Sequence, residues 1–190
     1  MTVVLIADSK RFIGLSSDTK PTPPAGSVFY ETDTLSSYVY SGSAWALMPL
    51  TPFGFLARKA VTFTGASGLG LAGTNVALFT VTGEVEVVRI VPVCTVDLTE
   101  AAPTATLALG VTSSTALFVA ATTATAIDAG EFWVTTTPTA NGIAIPAACK
   151  EIAITDSIVA APAVQNVNGG VIRFDLWWRP LSSDGLVVAA

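Results

Sequence analysis

The clearest alternation of apolar and polar positions lies near the C-terminus, at Gly170-Val171-Ile172-Arg173-Phe174-Asp175-Leu176-Trp177-Trp178-Arg179-Pro180. Side chains along a strand point to opposite faces with a period of two. Ile172, Phe174, Leu176 and Trp178 therefore form a core wall. Arg173, Asp175, Trp177 and Arg179 share the other face. Upstream, short strand-like runs recur between Gly, Asn, Asp and Ser clusters, at 60–64, 76–82, 84–93, 104–111, 115–121, 130–135, 143–146, 150–155 and 157–161. That spacing predicts an antiparallel β-sandwich or jelly roll over 60–190. No segment has a 3.6-residue period, which argues against an α/β fold.

In Glu84-Val85-Glu86-Val87-Val88-Arg89-Ile90 the inward phase changes between Val87 and Val88. A one-residue bulge would restore a single inward face. The alternative is a strand buried on both faces, with Arg89 paired to an acid.

The first 50 residues predict a smaller β unit. Residues 1–10 read as a strand or an arm. Arg11 to Leu15 is strand-like, and a loop with Pro21, Pro23 and Pro24 follows. Gly26–Thr32, Ser37–Tyr40 and Ser43–Met48 are spaced as a three-stranded meander. Residues 51–59 form the junction, where Pro52 and Gly54 interrupt regular structure. Phe53 and Phe55 are too apolar for a free linker and are candidate interface residues. The expected organisation is an all-β chain: arm and meander over 1–50, junction over 51–59, sandwich over 60–190.

Composition adds one constraint. Charged residues are 12% of the 190, about half the ~25% of ordinary globular chains. Either the surface is coated with Ala and Thr, or its flanks are buried against other subunits, since interface cores are depleted in charge. The net charge is −5 and there is no His. Nucleic-acid binding needs clustered Lys and Arg, and only Lys10-Arg11 and Arg58-Lys59 are adjacent, so no nucleic-acid partner is expected. The lack of imidazole counts against zinc sites and Ser/His/Asp chemistry. No secretory signal is visible, and no stretch reaches the ~18 to 20 apolar residues of a membrane span. Folding in a cytoplasm and no membrane partner are expected.

Candidate chemistry is sparse. Gly65-Ala66-Ser67-Gly68-Leu69-Gly70 lacks the Lys-Ser/Thr of a phosphate loop and reads as a turn. Glu84 and Glu86 read as a solvent-facing pair, and Asp128-Ala129-Gly130-Glu131 as a turn. No enzyme, metal or cofactor is expected. Cys94 and Cys149 read as buried thiols, with a disulfide formed after release from the cell as the alternative. Trp177 is either covered by a loop of its own chain or is a subunit contact, because Trp and Arg are enriched at interface centres. Arg173 and Arg179 are its candidate companions, and either could stack on the ring.

One resemblance bears on function. Arg11-Phe12-Ile13-Gly14-Leu15-Ser16-Ser17-Asp18-Thr19-Lys20-Pro21, Gly26-Ser27-Val28-Phe29-Tyr30-Glu31-Thr32-Asp33-Thr34 and Tyr38-Val39-Tyr40-Ser41-Gly42-Ser43-Ala44-Trp45 resemble a small β module of tailed-bacteriophage structural proteins. The stretch Thr122 to Trp133 and the ending Trp178-Arg179-Pro180-Leu181-Ser182-Ser183-Asp184-Gly185 are similar to such proteins too. The resemblance implies a virion component present in many symmetric copies. The expected role is a capsid decoration protein on the head surface. It would be a homo-oligomer, with a trimer favoured, and its partner the major capsid protein. A tail, neck or head-fibre protein engaged in host attachment is the alternative.

Overall fold

The computed structural model describes residues 9–34, 36–48, 54–100 and 102–190. The expected arm over 1–10 therefore lies mostly outside the described residues, as does Phe53. The chain divides into two compact units, Met1–Leu56 and Ala57–Ala190, each described by itself.

In the first unit β1 (Arg11–Gly14), β2 (Val28–Glu31), β3 (Ser36–Tyr40) and β4 (Trp45–Met48) form one four-stranded sheet in that order. β2, β3 and β4 are the antiparallel meander that the sequence predicts. β1 extends it by pairing parallel to β2. Parallel neighbours need a crossover of about a dozen residues, and the proline-containing stretch 15–27 is long enough. A small sheet has little core, so aromatics supply most of it. Trp45 meets Phe12, Phe29 and Tyr40 with ring centroids 6.3, 5.9 and 5.2 Å away. Its indole N–H donates to the Pro21 carbonyl at 2.8 Å. Glu31 is buried, yet it pairs with Lys20 at 2.6 Å and accepts from the Thr34 hydroxyl. A buried charge needs such partners.

The second unit is all-β and sandwich-like. Its strands are β5 (Phe55–Thr62), β6 (Val76–Thr82), β7 (Val85–Glu100), β8 (Thr106–Val111), β9 (Ser114–Thr123), β10 (Glu131–Phe132), β11 (Thr139–Ala140), β12 (Lys150–Ile154), β13 (Ile158–Ala163), β14 (Val167–Pro180) and β15 (Leu186–Ala189). One sheet runs β11-β10-β7-β14-β5, with β12 also on β7; the other runs β15-β6-β13-β8-β9. Leu78, Phe79, Leu107, Leu109 and Ile158 of the second sheet are fully buried, as are Ile90, Ile172, Phe174 and Leu176 of the first.

Several boundaries differ from the sequence reading. The strand expected at 60–64 begins earlier, at Phe55, because the interrupting residues end at Gly54. Residues 143–146 form no strand; Pro146 lacks the N–H that a ladder requires. The run 130–135 shrinks to Glu131–Phe132, since Trp133 turns its ring into the core. β15 was not expected. It pairs with β6 from Leu186↔Thr82 to Ala189↔Phe79 and is read only once β6 is in place.

β7 carries the bulge. Trp177 pairs with Arg89 and Trp178 with Val87, so Val88 is the extra residue. From Val85 to Cys94 the buried positions are Val85, Val87, Ile90, Pro92 and Cys94, one continuous inward row. The bulge turns Arg89 outward, although simple alternation from Val87 would bury it.

Candidate functional site

β7 and β14 are the longest strands, and the outward face of their sheet, with Arg58 of β5 and Lys150 of β12, gathers five of the nine basic residues. The register sets its rows. Arg173 lies opposite Val93, Asp175 opposite Val91, Trp177 opposite Arg89, and Arg179 opposite Glu86. On the far side of β7, Lys150 lies opposite Arg89 and Phe132 opposite Val93. Residues directly opposite in a ladder share a face. The result is a half-buried apolar strip of Val91, Val93, Phe132 and Trp177, flanked by cations.

Asp175 anchors this face. It is only 5% exposed. Its two oxygens accept from Arg58 Nε at 2.5 Å and Arg173 Nε at 3.1 Å. Those arginine side chains are 43% and 39% exposed, so the carboxylate is enclosed while the cations reach solvent. Arg179 pairs with Glu86 at 2.9 Å. The Arg89 guanidinium lies over the Trp177 ring, 4.0 Å from its centroid. This stack is a cation–π contact. The stacking residue is therefore Arg89, not Arg173 or Arg179 of the same strand. A directly opposed cross-strand pair sits at ~5 Å between Cβ atoms, closer than neighbours two apart along one strand.

Of the candidate residues, Trp177, Arg173 and Arg179 come together here. Phe55 opens β5 and is half-buried, two residues before that strand enters the second unit. The face also takes in Arg58, Arg89 and Lys150, which are not among the candidate interface residues. Arg89 was signalled by the phase change at Val88. Arg58 and Lys150 carried no local signal, because only strand pairing sets them beside β14 and β7.

The rest of the unit offers little reactive chemistry. Cys94 and Cys149 are free, fully buried thiols. Burial pushes each up to about 11, against the inert side of the thiol range. Cys94 Sγ contacts the Val96 and Ile127 carbonyls, and Cys149 Sγ those of Phe118 and Val134. Glu131 and Asp128 form a turn, with the Glu131 amide on the Asp128 carbonyl at 3.1 Å. Residues 65–70 also turn, with Gly65, Gly68 and Gly70 at positive φ. Among the described residues no cluster of His, Cys, Asp and Glu could hold a metal ion. No helix among them is long and apolar enough to cross a membrane. An open groove of about 440 Å³ is lined by Glu84, Ser113, Leu117 and Asp156. There the Ser113 hydroxyl and amide hold Asp156 below the usual carboxylate range.

What the arginine–tryptophan face can do is bind. Its arginines present planar donors for carboxylates, and its centre is aromatic and aliphatic. Comparisons with protein-family models, with curated proteins and with solved structures returned no match.

Proposed function

We propose that the chain is a structural, non-catalytic component of a tailed-bacteriophage virion, acting as a capsid decoration protein. The resemblance of residues 11–48 to the phage β module suggests the virion. The observation that carries a binding role is the outward face of β5, β14 and β7, where Trp177 sits among Arg58, Arg89, Arg173 and Arg179. Trp and Arg are the residue types that dominate interface energetics. In this reading copies of the chain form a homo-oligomer, a trimer being favoured, on the outer head surface. Each copy contributes a modest contact to the major capsid protein, and several tethered contacts add up through effective concentration. The low charge content suits a surface largely covered by neighbours.

The test is particle stability. Heads assembled without the protein are heated with and without the purified chain, and genome release is followed by dye fluorescence. The reading expects release to move to higher temperature with the chain bound. Heads that fail to bind it, or that release DNA at an unchanged temperature, refute a cementing role.

A further inference from the structure

We infer that the outward face of β15, β6, β13, β8 and β9 docks a second copy of this chain, sheet against sheet. The inference does not rest on the virion reading. It starts from where charge is missing. The strands of the sheet built on β7 and β14 hold 12 charged residues in 47, close to the ~25% of ordinary chains. The five strands of the other sheet hold none in 33. Burial of the inner row does not account for the difference. Of the exposed strand positions, five of 14 are charged in the first sheet and none of 12 in the second.

The register places the outward side chains. Leu186 lies opposite Thr82 and Val188 opposite Thr80, while Ala163, Thr106 and Thr123 form one row across three strands. Residues directly opposite in a ladder share a face. Val187 and Leu107, next along their strands, are buried on the inward side. Leu186 and Val188 are 43% and 46% exposed at one edge of the sheet. Every other exposed strand position of this sheet is Ala, Ser or Thr. Two protruding side chains thus stand beside a field of small ones. In a twofold pair each copy can seat its Leu186 and Val188 on the small residues of the other. Facing sheets interdigitate in this way at ~10 Å.

The occupant follows from charge and area. A charge set against this face would be buried without a partner, which is strongly destabilising. The docking surface must therefore be uncharged over the same extent, and a second copy brings one. At a rise of ~3.4 Å and a strand spacing of ~4.8 Å the 33 residues cover ~540 Å². Two such faces bury ~1,100 Å², enough for a specific interface, which needs ~1,000 Å². A face that meets its own copy does so about a twofold axis. The unit formed is then a dimer, set against the trimer favoured above, and the arginine–tryptophan face lies outside the contact.

The experiment is sedimentation velocity on the full chain over a range of concentrations, at ~20 and ~500 mM salt. The expected result is a dimer that persists at high salt, because no charge holds it. Thr80→Glu/Val188→Glu places carboxylates in the contact and weakens association about tenfold or more. Thr62→Glu, an exposed position of β5 in the other sheet, leaves the dimer intact. Circular dichroism checks that the variants fold, and Thr82→Glu alone serves if the double does not. Amide exchange on β15 and β6 should slow as concentration rises. A monomer or a trimer at every concentration overturns the inference. A monomer that binds an apolar-surface dye, and loses it in the double variant, also overturns it, in favour of a foreign apolar partner. A dimer indifferent to the double variant places the contact elsewhere and overturns it too. Each result is separable from the virion reading, which heated heads test independently.

Discussion

Replacing Asp175 with Asn tests whether the enclosed carboxylate holds the outward face together. The carboxylate is 5% exposed and accepts from two guanidinium groups. Asn keeps the shape but loses the charge and turns one acceptor into a donor facing an arginine. Removing one member of a buried ion pair costs about 3 to 5 kcal/mol when the partner stays buried. Here Arg58 and Arg173 are 43% and 39% exposed, so water recovers part of their solvation. Exposed pairs contribute about 0 to 1 kcal/mol. The expected cost lies between, at about 2 kcal/mol. For a unit of this size that lowers Tm by roughly 6 to 8 °C. Urea unfolding followed by Trp fluorescence measures the change. A double-mutant cycle with Arg58→Met should return a coupling of about 1 kcal/mol, since Arg173 keeps part of the interaction. A cost under about 0.5 kcal/mol with no coupling would refute the view that Asp175 organises the face.

The buried thiols give a pH prediction. Each folded thiol titrates at about 11, above the 9.0 of an ordinary thiol. The folded state therefore holds more protons between those values, and stability falls as pH rises from about 9 to about 11. Both cysteines should resist a disulfide-exchange reagent at pH 8 in the native protein and react on unfolding; rapid native reaction would contradict their burial. Thr122→Val leaves the buried Trp133 indole N–H without its 3.0 Å acceptor, and should cost about 1 to 3 kcal/mol in urea unfolding while Thr122→Ser costs less. Gly70→Ala forces a Cβ at φ +114 to within 2.3 Å of the Val167 carbonyl, and should cost about 3 kcal/mol or more; a change under 1 kcal/mol would show that the turn relaxes freely.

Local alternation made much of the fold legible. The inward row of β14 and the bulge at Val88 both follow from a period of two. The meander in the first unit follows from turn spacing, because short hairpin links leave little choice of partner. Parallel pairing of β1 was not legible, since a long proline-containing loop permits either direction. β15 was not legible either, as its edge position depends on β6. The candidate site divides along the same line. Trp177, Arg173 and Arg179 were marked by their strand, and the phase change marked Arg89. Arg58 reaches Asp175 only through the pairing of β5 in the sheet, a contact spanning 117 positions in sequence.

Copy number in purified virions tests the proposed function most directly. Quantitative mass spectrometry against the major capsid protein supplies it. Decoration predicts copies in the hundreds, near stoichiometric with the shell, as a cement bound across a symmetric surface requires. A dozen copies or fewer would contradict it and leave a neck or tail protein, with host attachment as its work.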